Sequence, residues 1–140
     1  MEDRQVSKDF KASELWCKHC KSEGIKEEFV ALLQEFRDFL GTPVVITSGY
    51  RCKKHPVEAS KKPGSIARHT LGVAADIYAP GLSLEALYLK LKEFGRFQGI
   101  GVSPHRNFIH CDQREAPASW CYTKADKTLP WDGNWKSLSV

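Results

Sequence analysis

The run Val73-Ala-Ala-Asp-Ile77 sets a carboxylate among small and β-branched apolar residues. A run of this kind reads as a strand, and its period of two places Val73, Ala75 and Ile77 on one face and Ala74 and Asp76 on the other. A carboxylate embedded there without a partner costs several kcal/mol or takes up a proton. Such a carboxylate calls for a metal ion or a salt bridge, with Arg68 or Arg114 as the candidate for the salt bridge.

The elements around this strand follow from spacing. From Glu27 to Leu40 the positions Phe29, Leu32, Leu33, Phe36 and Leu40 recur at three and four residues, predicting an amphipathic helix that Gly41 and Pro43 end. Pro43-Val-Val-Ile-Thr47 reads as a buried strand that delivers Ser48-Gly-Tyr-Arg51 to its end. Residues 52–68 have no apolar period and are rich in Lys, Pro, Ser and Gly, so they read as a long loop whose basic part, His55 to Gly64, lines a groove or is simply solvated. Ser83 caps a second helix through Phe94, with Leu84, Leu87, Tyr88, Leu91 and Phe94 on one face and Gly95 at its stop. Residues 98–102 and 108–112 read as two antiparallel strands around a Ser-Pro-His-Arg-Asn turn. In the second, Phe108, His110 and Asp112 share one face and Ile109 and Cys111 the other. The expected fold is α+β, a small antiparallel sheet packed against helices. From Glu115 the tail shows no clear period, and Trp120, Trp131 and Trp135 are expected to pack it back across a single domain of residues 1–140.

Charge narrows the partners. The balance of 21 basic and 17 acidic residues leaves a net charge of +4, which suits an anionic partner such as a bacterial cell wall. The basic residues are scattered among acids and no stacking-platform motif is present, so nucleic-acid binding is not expected. No apolar stretch approaches the ~20 residues that span a bilayer. The opening residues, MEDRQVSKDFKASEL, lack the apolar core of a secretion signal, and the expectation is a monomeric chain made and left in the cytoplasm until something releases it.

Three motifs hold the candidate chemistry: Ser48-Gly-Tyr-Arg51, His69-Thr-Leu-Gly-Val-Ala-Ala-Asp76 and Phe108-Ile-His-Cys-Asp112. His69, Asp76 and His110 supply two imidazoles and a carboxylate, the three-ligand set with which a catalytic zinc keeps its fourth position open for water. Together with the Gly99-Ile-Gly101 strand and Arg114, these motifs, in this order, resemble the zinc D-Ala-D-Ala carboxypeptidase-like peptidases of bacterial cell-wall metabolism, which include many phage endolysins. The resemblance runs from about Phe10 to Arg114 and leaves the tail outside. It implies the fold shared with the hedgehog signalling domain, and one zinc ion held by His69, Asp76 and His110. It also implies that Arg51 faces the site and holds substrate near the scissile carbonyl or its terminal carboxylate, with Ser48 and Tyr50 beside it as substrate contacts. A planar fork of donors matches that task.

This chain departs from the family pattern at two places. Many relatives carry an acid or histidine three residues before the last zinc ligand, where this chain has Asn107, and Ala67-Arg68 stands where relatives often have Ser or Gln. The proton acceptor must then come from elsewhere. Asp112 is the first candidate and His105 the second, while Asp112 serves equally well as a partner that orients a ligand histidine.

The five cysteines are an odd number, so reduced thiols are expected rather than a disulfide framework. Cys17-Lys-His-Cys20 has the spacing that opens a structural zinc site, but no second cysteine pair follows. Cys52 and Cys111 join it only if the fold gathers them. The expected function is zinc-dependent hydrolysis of peptide bonds in peptidoglycan stem peptides, as a D,D-carboxypeptidase or an endopeptidase acting in endolysin-like lysis. The alternatives are a cell-wall peptide-binding module that holds zinc without catalysis, and a structural component of a phage particle.

Overall fold

Apolar spacing decides where the helices lie. In the computed structural model, which describes residues 3–59 and 67–138, a short helix α1 (Ala12–Leu15) precedes α2 (Glu27–Leu40). Phe29, Leu32, Leu33 and Phe36 of α2 are buried, and the helix closes at Gly41 in the left-handed conformation. The strand β1 (Val45–Ser48) begins two residues later than the β-branched run implied. Residues 52–68 are not one loop: helix α3 (Pro56–Ala59) lies within it, helix α4 (Arg68–Leu71) begins at its last residue, and 60–66 lie outside the described residues. His69 therefore sits on a helical turn that delivers the chain into β2 (Ala74–Tyr78). In α5 (Leu84–Phe94) the Ser83 hydroxyl accepts from the Ala86 amide, the cap expected from its sequence.

Among the described residues the sheet has six strands in the order β1-β2-β4-β3-β5-β6, with β3 (Gly99–Ser103), β4 (Phe108–Asp112), β5 (Ala118–Tyr122) and β6 (Thr128–Pro130). Every neighbouring pair is antiparallel except β3 and β5, which run parallel. The α+β class stands, and the sheet is larger than expected because the tail contributes β5 and β6. Helix α5 packs on α2 through Phe36 and Phe94, whose rings lie 5.3 Å apart, and Phe97 joins them at 6.0 and 5.7 Å. Ala75, Ile77, Ile100, Val102, Ile109 and Cys111 belong to the same apolar core. Burial of each large side chain here stabilises the fold by roughly 1.5–3 kcal/mol. Among the described residues no helix is long and apolar enough to cross a membrane.

Strand register draws the opposite face into one line. Ser48 is paired with Asp76, Asp76 with His110, His110 with Gly101 and Gly101 with Trp120. A neighbouring row pairs Ala74 with Asp112 and Asp112 with Gly99. The two glycines of β3 leave space: a Cβ on Gly101 would stand 2.2 Å from Trp120 Nε1, and one on Gly99 would stand 2.2 Å from Asp112 Oδ1. Of the tail's tryptophans, Trp131 and Trp135 pack on Tyr88 of α5, whereas Trp120 lies tilted against His110 with centroids 5.2 Å apart.

Candidate metal centre and its cavity

His69 on α4, Asp76 on β2 and His110 on β4 meet at one point. His69 Nε2 lies 3.2 Å from Asp76 Oδ1, His110 Nδ1 lies 3.1 Å from the same oxygen, and the two nitrogens are 3.2 Å apart. A tetrahedral zinc with bonds of about 2.0–2.1 Å separates its ligands by about 3.3–3.4 Å, so this triangle is close to the size required. All three side chains are buried. The donor set therefore fits the ion in number, chemistry and spacing.

Each imidazole is held by its other nitrogen. His69 Nδ1–H donates to the Gly49 carbonyl at 2.7 Å, which leaves Nε2 as the lone-pair nitrogen facing the centre. His110 Nε2 meets Asp112 Oδ2 at 2.5 Å, and Arg114 grips that carboxylate with Nε on Oδ1 at 2.7 Å and Nη2 on Oδ2 at 2.5 Å. Asp112 is fully buried, on the side of His110 opposite the centre. Burial raises the proton affinity of Asp112, but the hydrogen bonds from Arg114 and His110 outweigh it and hold its pKa at about 2. Burial acts against the charged form of His110, yet Asp112 and Asp76 carry its pKa above the usual histidine value. For Asp76, burial is likewise overcome by the neighbouring histidines, and the carboxyl is held well below its ordinary range.

Arg51 is fixed by three partners. Its Nε donates to Ser48 Oγ at 3.0 Å, Nη1 to Glu58 Oε2 at 3.1 Å and Nη2 to Asp76 Oδ2 at 3.1 Å. The salt-bridge partner of Asp76 is thus Arg51, while Arg114 belongs to Asp112 and Arg68 lines the cavity nearby.

The cluster forms part of the wall of a cavity of about 870 Å³, which Ser48, Arg51, Arg68, Arg106 and Arg114 also line. Trp120 and Tyr122 of β5 close another side, and Arg114 lies over the Trp120 ring at 4.8 Å. Burial pushes the Tyr122 phenol up to about 12, with the charge on Asp76 adding to it, so the hydroxyl keeps its proton and remains a donor.

The other expected residues fall differently. The Tyr50 ring lies against Gly24, and Tyr50 is not among the residues lining the cavity. His105 sits in the β3–β4 turn, its Nε2 3.0 Å from Oδ1 of Asp126, a residue that does line the cavity. Asn107 has φ 56°, a left-handed position in the same turn that asparagine tolerates better than most side chains. Cys111 lies in the core with its thiol toward the Ala75 carbonyl, and burial raises its pKa well above the usual value.

Sequence reasoning missed Glu58, Trp120 and Tyr122. Glu58 stands in a segment without period. The alternation of Trp120, Cys121 and Tyr122 was present, but in a stretch too short and too polar at its flanks to read as a strand.

Comparison with known families adds one finding. The sequence pattern of the family described as Peptidase M15 matches residues 8–112. No curated protein sequence matches the chain.

Proposed function

The chain belongs to the Peptidase M15 family, and on that premise we propose that it is a zinc-dependent peptidase acting on the stem peptides of peptidoglycan. One observation carries this reading: two imidazoles and a carboxylate, mutually spaced at 3.1–3.2 Å, lie in a cavity lined by four arginines. Zinc held by His69, Asp76 and His110 supplies a Lewis acid for the scissile carbonyl and lowers the pKa of water toward ~7.

The remaining work falls to this chain's own side chains. Arg51, preset by Ser48, Glu58 and Asp76, presents a positive charge beside the centre and steadies the carbonyl oxygen or a substrate carboxylate. Tyr122 offers a neutral donor from β5 in the cavity wall. The arginine lining suits a peptide rich in carboxylates, as stem peptides are. Asp112 acts as a positioning residue, because both its oxygens are engaged and it meets the imidazole nitrogen that faces away from the centre. His105 does not itself line the cavity but meets Asp126, which does, and it is the remaining imidazole for the role of proton acceptor that Asn107 cannot fill.

The test is digestion of purified muropeptides by wild type, His69→Ala and His105→Ala, read by mass spectrometry with bound metal measured in each. One zinc at this centre and a defined cleavage lost in His69→Ala support the reading. Zinc bound with no stem peptide cleaved would overturn it in favour of a binding module. His105→Ala is expected to keep that zinc and lose most turnover.

A further inference from the structure

The fold gathers a second set of ligand-type side chains beside Arg51 in the chain. Cys17 and Cys20, just after α1, meet Cys52, just after Arg51, and the three sulfurs lie within 4.8 Å of one another. A tetrahedral zinc with Zn–S bonds of about 2.3 Å holds its sulfurs about 3.8 Å apart, inside that limit. The Cys17 sulfur accepts the Cys52 amide at 3.3 Å, and the backbone amides of His19 and Cys20 also point to it. Several N–H groups converging on one sulfur supply the hydrogen bonds that a metal-bound thiolate requires.

The local backbone has the form that Cys-x-x-Cys metal loops need. The Lys21 amide donates to the Cys17 carbonyl at 2.7 Å, and Lys21 takes φ 58°, turning the chain sharply after Cys20. Two imidazoles flank the trio. His19 Nδ1 is 3.7 Å from Cys52 Sγ, close to the separation of about 3.6 Å expected between nitrogen and sulfur on one zinc. His55 follows Cys52 at the same spacing by which Cys20 follows Cys17, and its ring meets that of His19 edge to face at 6.2 Å.

We propose that Cys17, Cys20 and Cys52 bind a structural zinc ion, with His19 or His55 as the fourth ligand. On binding, the three thiols lose their protons to solvent and the ion accepts three thiolates and one neutral imidazole. No oxidation is involved. The site joins the segment after α1 to the segment after β1, reinforcing the Tyr50 amide bond to the Leu15 carbonyl at 2.9 Å. It thereby anchors the backbone that carries Arg51, although no sulfur belongs to the catalytic cluster.

Metal analysis and cobalt substitution test this independently of peptidase activity. After reconstitution, the wild type is expected to hold two zinc ions per chain. Cys17→Ser and Cys52→Ser are each expected to hold one, and so is His69→Ala, which empties the other centre. In the cobalt protein a thiolate-to-metal charge-transfer band belongs to this site alone, because His69, Asp76 and His110 offer no sulfur. The band is expected to persist in His69→Ala and to vanish in Cys52→Ser. The substitution, His19→Ala or His55→Ala, that shifts the cobalt spectrum identifies the fourth ligand.

Thiol titration of the wild type needs no variant to fold. Cys20 is exposed and Cys17 and Cys111 are buried. Reaction with a thiol reagent is expected to be slow until a chelator is added, then to accelerate for three thiols. Immediate reaction of Cys20 indifferent to chelator, a disulfide within the trio, or a cobalt protein without the charge-transfer band would overturn the proposal.

Discussion

Strand β4 presents two faces that are held by different means. Ile109 and Cys111 lie in the apolar core with Ile77, Ile100 and Val102, where fit and area decide stability. His110 and Asp112, one residue away on each side, lie on the polar face, where each group depends on the next. The chain of dependence runs from the Gly49 carbonyl through His69, across Asp76 and His110, to Asp112 and Arg114. In a dense core a change of volume is felt where it is made. A polar network transmits the loss of any member, because each group left behind loses a hydrogen-bond partner that also fixed its orientation.

The contrast is broken most severely at the centre itself. His110→Ala is expected to lower muropeptide cleavage by about ten-thousandfold or more, roughly 5 kcal/mol of barrier, and to lose the zinc bound there while the far-ultraviolet dichroism persists. Retention of that zinc with normal affinity would show that the polar face is not the network described. On the opposite face, Phe36→Ala is expected to cost about 3–5 kcal/mol in urea unfolding without altering metal stoichiometry in the folded protein.

Asp112→Asn tests the polar face at one remove. Metal affinity at the centre, measured by competition with a chelator, is expected to fall by about 10–100-fold with the ion's coordination geometry preserved. This variant also carries the pH dependence. The folded pKa of Asp112, about 2, lies below the ordinary aspartate value of about 3.9, so its carboxylate adds stability that is full above about pH 4. That contribution is lost as the pH falls toward about 2. The stability advantage of metal-free wild type over Asp112→Asn should therefore shrink across that interval, as urea midpoints at successive pH values will show. The smallest effect is expected for Ile109→Val, about 0.5–1.5 kcal/mol with zinc affinity unchanged within error.

Much of this arrangement was legible in particular residues. The period of two put His110 and Asp112 on one face and Ile109 and Cys111 on the other, as the strand shows. The helices over 27–40 and 84–94 were readable because a three-and-four spacing maintained over three or more turns has no strand equivalent. Helices α3 and α4 were not, since four residues carry too little period to stand out from a loop. Strand β5 escaped for a related reason. Its partner β3 is distant in sequence and parallel to it, and no local signal announces a pairing of that kind.

The sequence by itself determined the class of fold, the family and the candidate set His69, Asp76 and His110, because periodicity, turn residues and ligand chemistry are properties of short segments. Tertiary structure alone decided which arginine serves which acid, that Asp112 faces the back of His110, that Tyr50 lies away from the cavity while Tyr122 lines it, and that Cys52 completes a trio with Cys17 and Cys20. These are long-range facts. They depend on strand register and on where loop ends meet, and the folded chain sets both by burying its apolar face as a whole.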